Sequence, residues 1–476
     1  MSLFSNRRQL WVFGMALLVG LGGILYGYDI GVISGALLFI HKTIPMTDTQ
    51  TGLILGAVLG GGLLGTLAAG PLADFLGRRF MILVACMTFI VGVMLILVAS
   101  TFLMLLSARL FLGVAVGIVA VAVPLYVAEL VPARERGKYV AFFQLFLTFG
   151  ILLAYAVDLY FTPTGDWRAM FSVVLIPACV LLLGMLKLPE SPRWLLANGF
   201  PEKARQVLRR THSTDEADAA MDEIVESMQG AGGGWQELLS RPLWLPLFIA
   251  LGIAILNQWT GINTFLQYAP SILKESGLQS DWVAMLGSTS IAALNFLCTI
   301  VALFLVDRVG RRPLLLIGVA GVFVSEVFLG FVNFWHMATL LRGWLSLISL
   351  FGFIVSYAIG PGVVVWLAIS ELFPTRVRGK GIALCLFFNS LAGTLLVTTF
   401  LNITHAVGWE GVYWLCASFS GLYFLLVYFY LPETKAQSLE KIQRYFYNHQ
   451  VGTATQPLYG FDGVEGDLSR SDLPSA

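Results

Sequence analysis

The sequence predicts an all-α membrane protein in which twelve spanning helices form two halves of six. Hydrophobic residues fill 57% of the 476 positions and charged residues only 12%, whereas about a quarter of the residues in soluble globular domains are charged. The charges are clustered between long apolar runs. Three charged motifs of the first half also return, in the same order, in the second half.

Each apolar run is about 18 residues or longer, which is enough to cross a bilayer as a helix. Counted along the chain, the first to twelfth spans lie at residues 11–40, 52–73, 80–100, 103–128, 139–161, 169–188, 243–273, 282–306, 313–334, 343–372, 380–402 and 411–431. An even number of spans places both chain ends on the same side of the membrane.

The distribution of basic residues predicts that this side is the cytoplasm. With Arg7 and Arg8 inside, about two dozen of the 29 basic residues are cytoplasmic, as the positive-inside rule requires. The exceptions are Lys42, Arg168, Lys274 and Arg342. The first apolar run is too long for a cleaved signal peptide, so we expect it to remain as the first span.

The repeated motifs indicate that a six-helix unit was duplicated. The motif pairs are 70–79 with 306–313, 128–138 with 370–380, and 189–193 with 432–435. Each copy lies about 240 residues and six spans from its partner, a parallel repeat typical of transporters that bind substrate between their halves.

The duplication also predicts the domain boundaries. They are an N-terminal bundle at 1–188, a cytoplasmic linker at 189–241, a C-terminal bundle at 242–431 and a cytoplasmic tail at 432–476. Apolar residues recur at helical spacing between residues 221 and 228, so we expect the linker to form short amphipathic helices rather than a catalytic domain. The tail predicts one further short helix, around 439–447, and a disordered end.

One carboxylate, Asp29, lies in the middle of the first apolar run. An acidic side chain at this depth costs about 2.5 to 3.5 kcal/mol and indicates a proton relay, an ion pathway or a buried partner. Gly27, Gly31 and Gly35 recur every fourth residue, which allows another helix to approach closely. We therefore expect Asp29 to face a helix bundle rather than lipid.

These motifs resemble those of the sugar porter branch of the major facilitator superfamily. The resemblance rests on the paired motifs, on Pro-Glu-Ser-Pro-Arg at 189–193, on Gln258-x-x-Gly-Ile-Asn263 and on Pro-Glu-Thr-Lys at 432–435, and it covers about residues 10 to 446. It is nearest to bacterial proton-linked xylose, arabinose and galactose symporters. It implies the major facilitator fold and a monomeric carrier of the cell inner membrane.

The resemblance also implies the sites of the proton and the sugar. It brings Arg109 of the fourth span beside Asp29, and we expect this pair to couple transport to protons; the alternative is a static ion pair. The sugar ligands carried over motif by motif are Gln144, Gln258, Asn263, Asn295, Trp366 and Asn389. Amides suit hydroxyls because they both donate and accept. Taken singly, each amide could instead form only an interhelical hydrogen bond, and Trp366 could be an interface residue.

The sequence departs from the family pattern at three positions of the expected sugar site. Asn257 replaces a common Gln, Gln267 replaces part of a Tyr pair, and Tyr26 replaces a common Phe. We expect them to reshape the pocket, so the sugar itself is not predicted. In the ninth span, Glu326 has no family counterpart, and it could pair inside the bundle, snorkel, or bind a second proton.

Charged residues of both signs cluster at the cytoplasmic helix ends, and we refer to them as the gate clusters. They are Asp74, Arg78, Arg79, Glu129, Arg136, Glu190, Arg193, Asp307, Arg311, Arg312, Glu371, Arg378 and Glu433. By resemblance, they can pair across the halves when the cytoplasmic side is shut. The alternative is ordinary topology-setting charge, with exposed pairs contributing about 0 to 1 kcal/mol each.

The sequence thus predicts a proton-coupled monosaccharide symporter, for a pentose or hexose such as xylose, arabinose, galactose or glucose. The five cysteines lie in apolar spans without ligand spacing, so we expect no disulfide and no metal; we also expect no cofactor beyond the proton gradient and no nucleic acid partner. A facilitative sugar or inositol uniporter would share every feature except an Asp29 that couples transport to protons. A sugar sensor would need a signalling domain, and an ion channel would not need the amides.

Overall fold

The computed structural model describes residues 2–229, 234–335, 337–374, 376–435 and 437. The first six spans form one bundle. Their helices are Ser2–Thr43, Asp48–Leu76, Arg78–Val98, Phe102–Leu130 and Ala133–Phe161, followed by a sixth span in two pieces, Trp167–Ser172 and Leu175–Met185. The second span begins with a capping box, in which Thr47 and Gln50 satisfy each other's backbone amides.

The last six spans form the second bundle. The seventh consists of Trp244–Trp259 and Ile262–Ser276, the eighth of Asp281–Val309, the ninth of Arg311–Phe334, the tenth of Thr339–Ile359 and Pro361–Leu372, and the eleventh and twelfth together of Arg378–Tyr430. The seventh and tenth spans are therefore both broken near the middle of the bundle.

Eleven helices of the described chain are long and apolar enough to cross a membrane. The last has 53 residues, about 80 Å at 1.5 Å per residue, far more than the ~30 Å of one crossing. It contains one non-helical residue, Gly408, with φ of 78°. The chain turns there into a twelfth span, which confirms the predicted architecture of two six-helix halves.

The first and fifth spans pack closely because glycines line their contact. A side chain at Gly27 would collide with the carbonyl oxygen of Leu147, and a Cβ at Gly31 would lie 2.7 Å from that of Ala154. This confirms the close approach predicted from the glycine spacing. Conversely, large apolar side chains such as Leu64, Phe248 and Phe304 are exposed on the outside of the bundles, as lipid-facing residues are.

Four short helices connect the bundles, as predicted for the linker: Pro192–Ala197, Pro201–Thr211, Thr214–Gln229 and Trp235–Leu238. The first two pack against the first and fourth spans. The helix expected around 439–447 lies outside the described residues.

The two bundles meet at one end. We name the side on which the first span begins the terminal side and the opposite one the distal side. Four hydrogen bonds between the bundles are described, and all lie toward the distal side: Thr49 with Asn402 at 3.1 Å, His405 with Asp48 at 2.7 Å, Thr289 Oγ1 with the Tyr155 carbonyl at 3.2 Å, and the Tyr155 hydroxyl with the Leu266 carbonyl. The distal side is thus closed.

Candidate functional site

A buried ion pair joins the first and fourth spans. Arg109 Nη1 lies 2.6 Å from Asp29 Oδ1, and the two residues are 0% and 2% exposed. The pair makes a single contact, because Asp29 Oδ2 and Arg109 Nε have no hydrogen-bond partner. The structure therefore brings the two expected residues together. Each of them keeps one buried polar atom that could form a further hydrogen bond.

A second group of polar side chains lies in the other bundle, where the seventh span is broken. Gly261 has φ of 80°, a left-handed conformation that favours glycine. The chain turns at this residue, so Gln258 and Asn263 lie side by side, with Asn263 Nδ2 donating to Gln258 Oε1 at 2.8 Å.

The amide network extends from Gln258 to the eleventh span. Gln258 Nε2 donates to Asn389 Oδ1 at 2.9 Å, and Asn389 Nδ2 donates to the Ala254 carbonyl at 2.7 Å. Gln258 and Asn389 both donate and accept, whereas Asn263 donates, and these bonds order the three amides as a unit. The three expected residues therefore form one network.

Tyr357 is a site residue that sequence reasoning missed. Its hydroxyl donates to Asn257 Oδ1 at 3.3 Å, while the expected site residue Tyr26 is partly buried in the first half. The bond between Tyr357 and Asn257 joins the tenth and seventh spans close to the breaks in both helices. The position of Tyr357 just before the break at Gly360 could have indicated this role, because interrupted helices line transporter sites.

The remaining expected sugar ligands are placed without polar contacts of their own. The structure describes no side-chain hydrogen bond for Gln144, Asn295 or Trp366, and Gln267 Oε1 is buried without a partner. Gln267 and Asn295 are only 3% and 6% exposed. Their donors and acceptors stay available to another polar group.

The gate clusters form corresponding networks within each half. Arg78 pairs with Asp74 at 2.7 Å and with Glu129 at 3.0 Å, and the Arg79 amide donates to Glu190 Oε1 at 3.0 Å. A short hydrogen bond from Ser191 holds the same Glu129.

The second half repeats this arrangement. Arg311 pairs with Glu371 at 3.3 Å, and the amides of Arg311 and Arg312 donate to Glu433 at 3.1 and 3.2 Å. Arg378 donates to the Phe373 carbonyl at 3.4 Å. Each of these pairs joins residues of one half, so pairing across the halves stays a prediction for the opposite conformation.

Arg193 is exposed to solvent at the start of the linker. The side chains of Arg136 and Asp307 lie outside the described residues.

Two further buried carboxyl groups lie outside the expected site. Glu326 is 0% exposed, which rules out snorkelling, and neither of its carboxyl oxygens has a hydrogen-bond partner; it lies near Ser420 of the twelfth span. Asp158, which sequence reasoning missed, is also 0% exposed and accepts the Gly35 amide at 3.0 Å. A carboxylate inside the fifth apolar run was the available indication.

The described part of the chain holds no cluster of three or more His, Cys, Asp or Glu residues that could bind a metal ion. The five cysteines are free thiols. Neutral amides and one ion pair are suited to binding hydroxyl groups and moving a proton, rather than to covalent chemistry.

Comparison with known proteins finds sugar transporters by sequence and by structure. The sequence model of the family described as "Sugar (and other) transporter" matches residues 15–446. The chain is 37% identical to the glucose transporter GlcP of Staphylococcus epidermidis over 453 residues, which cover 95% of this chain and 100% of the relative. It is 33% identical over 442 residues to the galactose-proton symporter of Escherichia coli (strain K12), with 92% and 95% covered.

A solved structure also superposes on most of the chain. It is a partially occluded inward open conformation of the xylose transporter XylE from E. coli, with a TM-score of 0.79 and 27% identity. The superposition covers 90% of this chain and 99% of that chain.

Proposed function

The chain belongs to the sugar (and other) transporter family, whose members are membrane transporters and not enzymes, and we propose that it is a proton-coupled monosaccharide symporter. The observation that carries this proposal is the buried pair of Asp29 and Arg109 in one half, together with the amide network of Gln258, Asn263 and Asn389 in the other. The relatives named as a galactose-proton symporter and a glucose transporter support it.

The proposed orientation places the terminal side in the cytoplasm and the distal side outside the cell inner membrane. About two dozen of the 29 basic residues then lie inside, as the positive-inside rule requires. In this orientation the described conformation is closed to the outside. We also propose that the halves at 1–188 and 242–431 each move as a unit, joined by the linker, in a monomeric carrier.

We propose that the sugar binds between the halves, against the amide network. Gln258, Asn263 and Asn389 would exchange hydrogen bonds with its hydroxyls, while Gln144, Asn295 and Trp366 approach from the neighbouring spans. The unpartnered Gln267 Oε1 and the pair of Asn257 and Tyr357 would set which hydroxyls are recognised, because a buried polar group left unpaired costs about 1 to 3 kcal/mol.

Proton coupling would follow from the single contact between Asp29 and Arg109. Burial disfavours a charged carboxylate, whereas a neighbouring cation favours it, and the two effects oppose each other. A small change in distance or in water access therefore decides whether Asp29 holds a proton. Opening the carrier to one side and then to the other changes both, so proton binding and release accompany the transport cycle.

The gate clusters would control the cytoplasmic side. In the described conformation, their ion pairs remain within each half, consistent with an open cytoplasmic side. Closure would bring the two networks together. A contact shifts the equilibrium between the open and the closed cytoplasmic side only by the difference between its free energies in the two states.

The proposal is tested with the purified chain in proteoliposomes. Sugar counterflow without an ion gradient reports carrier activity, and uptake driven by an inward proton gradient reports coupling. A symporter accumulates sugar above the outside concentration only when the gradient is present. Counterflow without accumulation would identify a uniporter instead, and absence of counterflow over a panel of pentoses, hexoses and inositols would contradict sugar transport altogether.

A further inference from the structure

A carboxyl group without a cation partner lies at the distal end, between the first and fifth spans. Asp158 is 0% exposed, and its Oδ2 accepts the Gly35 amide at 3.0 Å. Its Oδ1 is buried without a hydrogen-bond partner. Burying an unpaired charge costs several kcal/mol, and such a group becomes neutral instead. We therefore expect Asp158 to hold a proton in this conformation.

The basic side chains of the distal side are engaged elsewhere. Lys42 lies over the ring of Phe39, Arg168 donates to the carbonyls of Leu97 and Ala99, Lys274 pairs with Asp281, and Arg342 donates to the carbonyls of Ser276 and Glu275. The titratable groups that interact with Asp158 are the phenols of Tyr28 and Tyr155. None of the ion pairs described for this chain includes Asp158.

The position of Asp158 against the first span is set by packing. Its carboxyl group occupies the space that a side chain at Gly35 would need, because a Cβ there would lie 2.5 Å from Oδ2. Both spans belong to the same half. We therefore expect this contact to persist through the transport cycle, so that water access is what changes around the carboxyl group.

Water access to Asp158 depends on the contact between the halves. Tyr155 lies one helical turn away on the same face. Its hydroxyl binds the Leu266 carbonyl of the seventh span, and its own carbonyl accepts from Thr289 of the eighth. Both bonds join the two halves, and both must break when the distal side opens. Opening then admits water to the turn that carries Asp158.

We propose that Asp158 is a second proton-binding site, filled from the distal side, whose protonation favours closure of that side. Water stabilises the carboxylate in the open state, while the dry contact requires the neutral acid, so acidification shifts the population toward closure. One titrating group changes the ratio of closed to open carrier by at most tenfold per pH unit.

This site is distinct from the coupling pair, although its role as a gate rests on the proposed transport function. Gly35 lies six residues beyond Asp29 on the first helix, about 9 Å along its axis. In the conformation closed to the distal side, Asp158 remains buried. Its proton therefore returns to the distal side when the carrier reopens, and it is not transported with the sugar.

The test measures distal closure as a function of pH in the full chain in lipid nanodiscs. Spin labels replace Lys42 and Val407, which are exposed at the distal ends of the first and eleventh spans. Cys179 and Cys298 are changed to Ser to prevent labelling elsewhere. His41 and His405 are changed to Gln, because both imidazoles lie at this contact, where His41 binds Thr51 and His405 binds Asp48.

The comparison uses Asp158→Asn with Glu326→Gln as its matched control. Both changes replace a fully buried carboxyl group with an amide that cannot titrate, but Glu326 lies away from the contact between the halves. We expect closure to increase on acidification in the parent and in Glu326→Gln, and to be high and independent of pH in Asp158→Asn. If the Asn variant fails to fold, Asp158→Ser provides a second neutral variant.

Several outcomes would overturn the inference. They are an Asp158→Asn variant that titrates like the parent, a parent whose closure does not depend on pH, and a Glu326→Gln variant that loses the pH dependence as well. A changed proton-to-sugar ratio in Asp158→Asn would refute release to the distal side. By contrast, if Asp158→Asn alone loses the pH dependence of closure but the parent accumulates no sugar in proteoliposomes, the proposed function fails while Asp158 remains a proton site.

Discussion

Asn263 and Gln258 lie on opposite sides of the break in the seventh span, and their side chains meet at 2.8 Å. The glycine between them, with φ of 80°, makes this contact possible. The same Gln258 reaches the eleventh span through Asn389. A local irregularity of one helix thus assembles a network that spans two helices.

Replacing Gln258 with Ala should weaken sugar binding without unfolding the protein. Each hydrogen bond contributes about 0.5 to 1.5 kcal/mol, so we expect the Kd of a transported sugar to rise about 2- to 13-fold or more. Isothermal titration of the purified variant measures this change. Gln236→Ala, at an exposed linker position, is the control, and equal affinities in the two variants would show that the site is misplaced.

Gly261→Ala tests whether the break in the seventh span positions Gln258 and Asn263. A side chain disfavours the left-handed conformation by about 1 to 2 kcal/mol, and the new Cβ would lie 3.1 Å from the Phe265 ring. We expect a lower Tm and weaker sugar binding, because Gln258 and Asn263 would separate. Gly379→Ala is the control, since no atom lies within 4 Å of its Cβ position. An unchanged Tm and Kd in Gly261→Ala would contradict this account.

Asp29→Asn should separate sugar exchange from proton-driven accumulation. The amide imitates the protonated acid and can still accept from Arg109, so the variant is expected to fold. We expect counterflow between equal sugar pools to persist and accumulation driven by a pH gradient to vanish. If the variant still concentrates sugar with a proton gradient as the only energy source, Asp29 is not the coupling residue, and Glu326 is the next carboxyl group to test.

Gly52→Leu should hold the distal side open. The second and eleventh spans meet there so closely that a Cβ at Gly52 would collide with the Thr398 carbonyl oxygen. We expect transport to be lost, sugar binding from the distal side to persist, and distal thiol probes to react faster. Gly70→Leu on the same helix has no atom within 4 Å of its Cβ position, and it should transport normally. Normal transport by Gly52→Leu would mean that the close contact is dispensable.

Much of this architecture follows from local patterns in the sequence. Hydropathy over about 18 residues identifies spanning helices because a bilayer leaves few alternatives for a long apolar run. The repeated motifs predict the two halves, and their copies form matching networks, with Glu190 and Glu433 each bound to the amides that start the third and ninth spans. The placement of Asp29 in the bundle also followed, because a carboxylate is too costly in lipid.

The tertiary structure decided which side chains meet. The contact of Asp158 with Gly35, separated by 123 positions, and that of Tyr357 with Asn257, separated by 100, depend on helix packing that no local pattern encodes. The structure also decided which side is closed, since one sequence must support both conformations of a carrier and the contacts within each half are compatible with either. Only the bonds between halves, such as Tyr155 with Leu266, distinguish the two, because they form when the bundles meet and break when they part.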